Sequence, residues 1–483
     1  MQLVKNFLYL TGAEMVSKVV TFVAIAYLAR VVGPVSFGYI EFVTAVILCA
    51  GLIIDQGFGL FGAREIAKAP EHTGKIVSEI VLLRFVLAIG VYAAVIVFAL
   101  LFDCPPIVTR LLFIYALSLL AMPLLLQWVF QGHDRMEMVA TIQLVRQIVF
   151  ASVVCLFVRD ESLLWFVAVA EVVGVGCAAI YGLWMYRRCF GGRIRLRIPL
   201  STRAFREGLP IGLSQMFWMV RMFGATLILG FVASAQDVGF FASALRIFIA
   251  LHTFVWLYFF NLLPSFSRMW QQGYDALARL VDQSFHWVAW ISSIVAAVWI
   301  SVAPAVIIKV YGPAFGSAGG TLQWLAGVCL IAGLSGHYRF ALIAAGQQKY
   351  EMVISAVGAL VAVILIPIGY INAGPNGAAM ALFVAEITVW FASSWFARQR
   401  LRLVPSNHLI LLLRPLLAVV LTLAWLYMLP LGSNLVHAAA FVLSVSGWAL
   451  VLDAAVRDRF RYLRMTSYKS WVRYRNQRSH ASF

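Results

Sequence analysis

A chain of 483 residues that is 63% hydrophobic and only 12% charged is not an ordinary soluble protein, in which roughly a quarter of the residues carry charge. The net charge of +17 would suit nucleic acid, but most of the cations sit in short loops and tails between apolar stretches, which excludes that partner. The six cysteines form no Cys-x-x-Cys pair and read as small core residues, with no disulfide framework or metal site.

A membrane helix needs about 20 mostly apolar residues, and such stretches recur along the chain, whose mean hydropathy is +0.91. They fall near 7–31, 39–63, 79–101, 107–130, 137–158, 162–186, 207–232, 238–264, 282–308, 320–345, 351–372, 376–397, 408–429 and 435–455, fourteen in all. Lys5 alone precedes the first, no small-residue cleavage site follows, and Glu14 and Lys18 interrupt it. It reads as a retained helix, not a cleaved signal. Turn chemistry separates the spans at Gly33-Pro34, Pro105-Pro106, Gly312-Pro313 and Asn372 to Gly377. Pro415 and Pro430 interrupt or bound the last pair.

The Lys and Arg residues of the loops set orientation. One set of loops carries Arg64, Lys68, Lys75, Arg135, a cluster from Arg187 to Arg206, Arg268, Arg279, Lys349 and Arg398 to Arg402, and the tail beyond Asp453 is Arg-rich. The opposite loops hold only Arg110, Arg159 and Lys309. This alternation predicts a multi-pass protein with both termini in the cytoplasm. The loops are too short for a soluble catalytic domain. No phosphate loop, metal motif or catalytic constellation occurs, so neither an enzyme nor a cofactor is expected.

Two stretches repeat. Gly132-His133-Asp134-Arg135-Met136-Glu137-Met138-Val139 joins spans 4 and 5, and Gly346-Gln347-Gln348-Lys349-Tyr350-Glu351-Met352-Val353 joins spans 10 and 11. Gly38-Tyr39 is echoed by Gly239-Phe240. Both Gly-x-x-cation-x-Glu-Met-Val loops lie on the predicted cytoplasmic side, so the repeats are parallel. The expected fold is all-α. A six-helix bundle over 1–186 is followed by a basic linker over 187–206 and a second six-helix bundle over 207–402. Helices 13 and 14 follow over 403–456, and a basic tail over 457–483. Transporters built from such repeats place their site between the halves near the midplane.

The first hairpin reads Tyr27-Leu28-Ala29-Arg30-Val31-Val32-Gly33-Pro34-Val35-Ser36-Phe37-Gly38-Tyr39, then Asp55-Gln56-Gly57-Phe58-Gly59, then Arg64-Glu65-Ile66-Ala67. This resembles the polysaccharide-transporter family, the O-antigen and exopolysaccharide flippases of the MOP superfamily, with Val32 where Leu is more usual. The resemblance implies the MATE-like MOP fold and alternating access. It further implies a bacterial inner-membrane location and an undecaprenyl-diphosphate-linked oligosaccharide as cargo. Membrane lipids and other polysaccharide-assembly proteins are the further partners it suggests.

Several ionisable residues sit well within spans: the cations Lys18, Arg30, Arg84, Arg146, Arg221, Arg246, Arg339 and Arg414, and the carboxylates Asp55, Glu171 and Glu386. Each costs about 2.5–3.5 kcal/mol at mid-bilayer on insertion scales. Three carboxylates cannot neutralise eight cations, so a cationic cavity is expected. Guanidinium groups fork onto phosphate oxygens. Lys18, Arg30, Arg146, Arg221, Arg246 and Arg339 are the candidates for binding a diphosphate. Each has a plainer reading as a structural pair or a snorkelling side chain. Asp55, Glu171 and Glu386 are candidates for ion coupling, and Arg64 with Glu65 for a gate, again against simple ion pairing. Trp218, Trp256, Tyr258, Trp287, Trp290 and Tyr338 are candidates for stacking on sugars, although interface belts and core packing account for most aromatics. A multidrug antiporter of the same superfamily is the first rival, and a membrane polysaccharide polymerase or ligase the second.

Overall fold

A computed structural model describes residues 2–102, 104–191, 202–403, 405–427, 443–445, 447–448 and 451–453. Most of the expected linker, most of helix 14 and the basic tail therefore lie outside the described residues, as does the side chain of Trp218. The described residues are helical throughout, with no strand.

The helices are α1 (Gln2–Asp55), α2 (Phe58–Lys68), α3 (Thr73–Leu101), α4 (Pro106–Ala121), α5 (Gln127–Gly132), α6 (Met136–Phe157), α7 (Trp165–Phe190), α8 (Thr202–Val232), α9 (Ala235–Gln272), α10 (Tyr274–Tyr311), α11 (Ala318–Ala344), α12 (Gln348–Leu401) and α13 (Pro405–Tyr427). Among the described residues, nine candidate membrane spans are long and apolar enough to cross a bilayer. Two of them involve helices of 54 residues. A straight helix of that length would run about 80 Å, far beyond a hydrocarbon core of about 30 Å. Both are broken where the turn chemistry predicts. Gly33 breaks α1 with φ 72° just before Pro34. Ala373 and Gly374 break α12 before Pro375, and Gly369 and Gly377 lie backbone to backbone across that turn.

Local signals fix the other ends. Ser234 caps α9, its hydroxyl 3.2 Å from the Asp237 amide, and Asp237 in turn accepts from Tyr370 at 2.8 Å. The two echoed loops fold alike but not in register. The left-handed residue is Asp134 in the first and Gly346 in the second, two places off the sequence alignment.

The chain packs as two compact units. One comprises Met1–Leu251, Val306–Leu325 and Met352–Val389, and the other His252–Ala305, Ala326–Glu351 and Trp390–Phe483. In the first, α1 packs on α4, α6 and α8, and α6 on α7. A core of Phe58, Trp128, Phe130, Ile142 and Tyr186 closes the end where α2 and α5 meet. In the second, Trp290 and Ala297 of α10 pack against Ala418 of α13 and Val445. Fully buried Asp453 ties this group together, 3.0 Å from the Trp290 indole nitrogen and 3.2 Å from His286 Nε2.

Candidate functional site

In the first unit the two echoed glycines meet. A Cβ on Gly38 would overlap the Ala235 carbonyl, and one on Gly239 would overlap the Pro34 carbonyl. Only a residue without a side chain lets backbones come this close. Around the crossing, Phe37 packs on Tyr311 and Phe315 with ring centroids 6.3 and 5.8 Å apart, and Phe240 packs on Phe315 at 6.3 Å. Two charged contacts frame it. Arg30 donates to the Val310 carbonyl at 2.7 Å and to the Lys309 carbonyl. About one helical turn beyond Gly38 and two beyond Gly239, Arg246 forks onto both Glu41 oxygens at 2.9–3.2 Å.

Behind this fork lies a cavity of about 160 Å³ bordered by Glu41, Tyr115, Arg146, Gln147, Glu171 and Arg246. Arg146 pairs with Glu171 across it, and Thr21 donates to Gln147 at 2.8 Å. A second cavity of about 260 Å³ is bordered by Asp55, Arg84, Gln127, Trp128 and Gln131. Asp55 pairs with Arg84, whose guanidinium stands 5.7 Å from the Trp128 ring.

Arg221 and Glu386 face each other at 3.9 Å, each side chain only 3% exposed. Arg339, in the second unit, forks onto Glu351 with Nε 2.9 and 3.0 Å from the two oxygens. Arg64 and Lys68 both reach Glu65, at 3.3 and 3.0 Å, with the cations exposed. The Lys18 side chain is exposed. Among the aromatics, Trp290 is committed to Asp453, Tyr338 is fully buried, and Trp256 is exposed and stacked on Phe260.

The charge excess read from sequence is thus corrected. Three further carboxylates serve the intramembrane cations: Glu41 for Arg246, Glu351 for Arg339 and Asp453 for Arg414, the last at 3.8 Å. Each sits at the margin of a span, where residue position alone reads as loop or interface. Glu41, the partner that matters most here, is 205 residues from Arg246, and nothing in its neighbourhood signals the pairing.

The crossing yields a direct expectation. Gly239→Val should hold α9 away from the part of α1 that follows the break at Gly33. Spin labels at the exposed positions Val35 and Gln236 should then report a longer, broader distance distribution. An unchanged distribution would show that the backbone contact does not depend on the glycine.

Residues 3–270 match the family model described as Polysaccharide biosynthesis protein. The chain belongs to that family. An O-antigen transporter of Escherichia coli (strain K12) is 22% identical over 263 residues, half of this chain and 59% of that protein. An O-antigen transporter of Shigella dysenteriae is 21% identical over 286 residues, 57% of this chain and 70% of that protein. The match with the first thus spans less than two thirds of that relative's length. Among solved structures, the inward closed conformation of the lipid II flippase MurJ superposes with a TM-score of 0.75 at 13% identity, covering 93% of this chain and 99% of that one. An inward-facing MATE multidrug-resistance transporter of the MOP superfamily follows at 0.67 and 12% identity, covering 82% and 98%. These likenesses carry the fold, which is that of MOP-superfamily transporters. The family is one of polysaccharide biosynthesis.

Proposed function

We propose that the protein is a flippase. It carries an undecaprenyl-diphosphate-linked oligosaccharide from the cytoplasmic to the periplasmic leaflet of the bacterial inner membrane. Fourteen spans form two parallel six-helix repeats, 1–186 and 207–402, with helices 13 and 14 beside them and both termini in the cytoplasm. The Gly38–Gly239 crossing carries the reading. Equivalent glycines of the two repeats touch, and the Glu41–Arg246 ion pair helps to secure them. Such a contact is small enough to open and specific enough to close. With the topology above, the crossing lies at the periplasmic end.

The cargo follows from charge. A diphosphate cannot cross hydrocarbon unaided, because an unpaired charge there costs on the order of tens of kcal/mol. Arg146 and Arg246 border the cavity behind the crossing, where a diphosphate could displace Glu171 and Glu41. Arg30 and Lys18 offer further cationic contacts in the first unit, and Arg339 offers one in the second. Arg221 is enclosed with Glu386 and acts as a structural pair. Other polysaccharide-assembly proteins would receive the cargo outside.

Deleting the gene and extracting lipids tests this. Lipid-linked oligosaccharide should accumulate, inaccessible from the periplasmic face. Normally flipped but unpolymerised repeat units would overturn the proposal in favour of a polymerase, and unchanged lipids with altered drug tolerance in favour of a drug exporter.

A further inference from the structure

The three carboxylates expected to couple an ion each face an arginine: Asp55 with Arg84, Glu171 with Arg146 and Glu386 with Arg221. The second unit holds a titratable group of another kind. His337 on α11 is fully buried. Its Nε2 lies 2.8 Å from the Ser284 hydroxyl on α10, which lies 2.6 Å from the Tyr258 hydroxyl on α9. The imidazole sits among rings, 4.8 Å from Phe259 and 5.4 Å from Phe285. Gly336 makes the fit possible, since a Cβ there would overlap Phe259.

Tyr258 is 40% exposed, and it heads a polar stripe. Asn261, Ser265 and Arg268 follow at helical spacing on the same face of α9. Arg268 and Ser265 are themselves bonded at 3.0 Å. The neighbouring exposed face at Trp256 and Phe260 is purely aromatic. One line on α9 is thus polar and leads from the loop after it to Tyr258, and from there two hydroxyls lead to a buried imidazole.

We propose that His337 is a proton-binding site loaded through Tyr258 and Ser284. A water-borne proton joins the Tyr258 oxygen as that oxygen releases its own proton to Ser284 Oγ. Ser284 releases its proton in turn to His337 Nε2. Both hydroxyls end neutral, every O–H bond broken is replaced, and the net event is imidazole to imidazolium. Release reverses each step. A linear Tyr–Ser–His chain polarises cooperatively, and histidine is the side chain whose ordinary titration falls near neutrality. The titratable and charged groups near His337 are Tyr258 on α9 and Asp282 on α10, the latter acting on the adjacent Tyr338. On α11 itself, Arg339 is held by Glu351. His286 of α10 and Arg414 of α13 belong to the separate cluster on Asp453. That the stripe opens to the cytoplasm rests on the topology proposed above, whereas the site itself does not.

The full chain, labelled with ¹³C at histidine Cε1 and placed in nanodiscs without substrate, gives the test. One resonance should be absent from His337→Gln and should shift reversibly on acidification across the pH range in which the protein stays folded. In Tyr258→Phe the same resonance should titrate with the same midpoint but exchange at least tenfold more slowly. If His337→Gln does not fold, Ser284→Ala identifies the resonance by its shift. A His337 resonance that stays constant across the range overturns the site, and unchanged exchange in Tyr258→Phe overturns the route. Because no cargo is present, failure here leaves the flippase reading to its own lipid test.

Discussion

Glu41→Gln is expected to open the Gly38–Gly239 crossing. The Glu41 carboxylate accepts from two nitrogens of Arg246 and is nearly buried, with 8% of its side chain exposed. Hydrogen bonds to charged groups contribute about 1.5–3 kcal/mol each to stability. Losing the fork should therefore shift the closed-to-open ratio by roughly ten- to a hundredfold, since about 1.4 kcal/mol is tenfold. Arg246→Gln should do the same by leaving Glu41 without its partner. Ser36, 6% exposed and next to Phe37, reports the change. In a cysteine-free background, Ser36→Cys should react slowly with a maleimide in the parent protein and much faster in either single variant. The double variant Glu41→Arg with Arg246→Glu rebuilds the fork in reverse and should restore slow labelling. Equal rates in all four proteins would mean that the apolar contacts of Phe37, Tyr311 and Phe315 close the crossing alone.

What the sequence discloses about this region is uneven, for physical reasons. The breaks in α1 and α12 were legible at Gly33-Pro34 and Asn372 to Gly377, because turn residues act locally. The Gly38–Gly239 relation was legible as a repeat, although nothing in it said that the two glycines touch. Facing was not legible. A helix apolar all round has no sequence-defined inner side, so Arg146 and Arg221 looked alike at mid-span, while one borders a cavity and the other is enclosed. Partners were not legible either. Glu41, Glu351 and Asp453 lie at the ends of apolar stretches, where a carboxylate looks like an interface residue, and each is chosen by packing between helices. His337 gave no signal, since one histidine in an apolar run has no spacing to read.

Arg221 is where this difference has the largest consequence. Its side chain and that of Glu386 are each 3% exposed and stand 3.9 Å apart. Gly358 packs against Arg221 and Val389: a Cβ there would lie 3.5 Å from Arg221 Cδ but would overlap Val389. Arg221→Ala would remove the positive charge that faces the enclosed Glu386 carboxylate. Breaking a buried pair in this way costs about 3–5 kcal/mol, a large share of a typical folding stability of about 5–15 kcal/mol. The expected result is a several-fold fall in the amount of folded protein in the membrane, and export lost for that reason. Replacing both partners with apolar residues of similar size is often neutral or stabilising. Arg221→Leu with Glu386→Leu should therefore accumulate to near parental levels, and export should return with it. Fluorescence size-exclusion profiles give the amount and monodispersity, and surface polysaccharide gives export. A double variant that is abundant and monodisperse but exports nothing would return Arg221 to the group of residues that handle cargo. A single variant as abundant as the parent would show that the enclosure seen at 3.9 Å is not what holds this part of the bundle together.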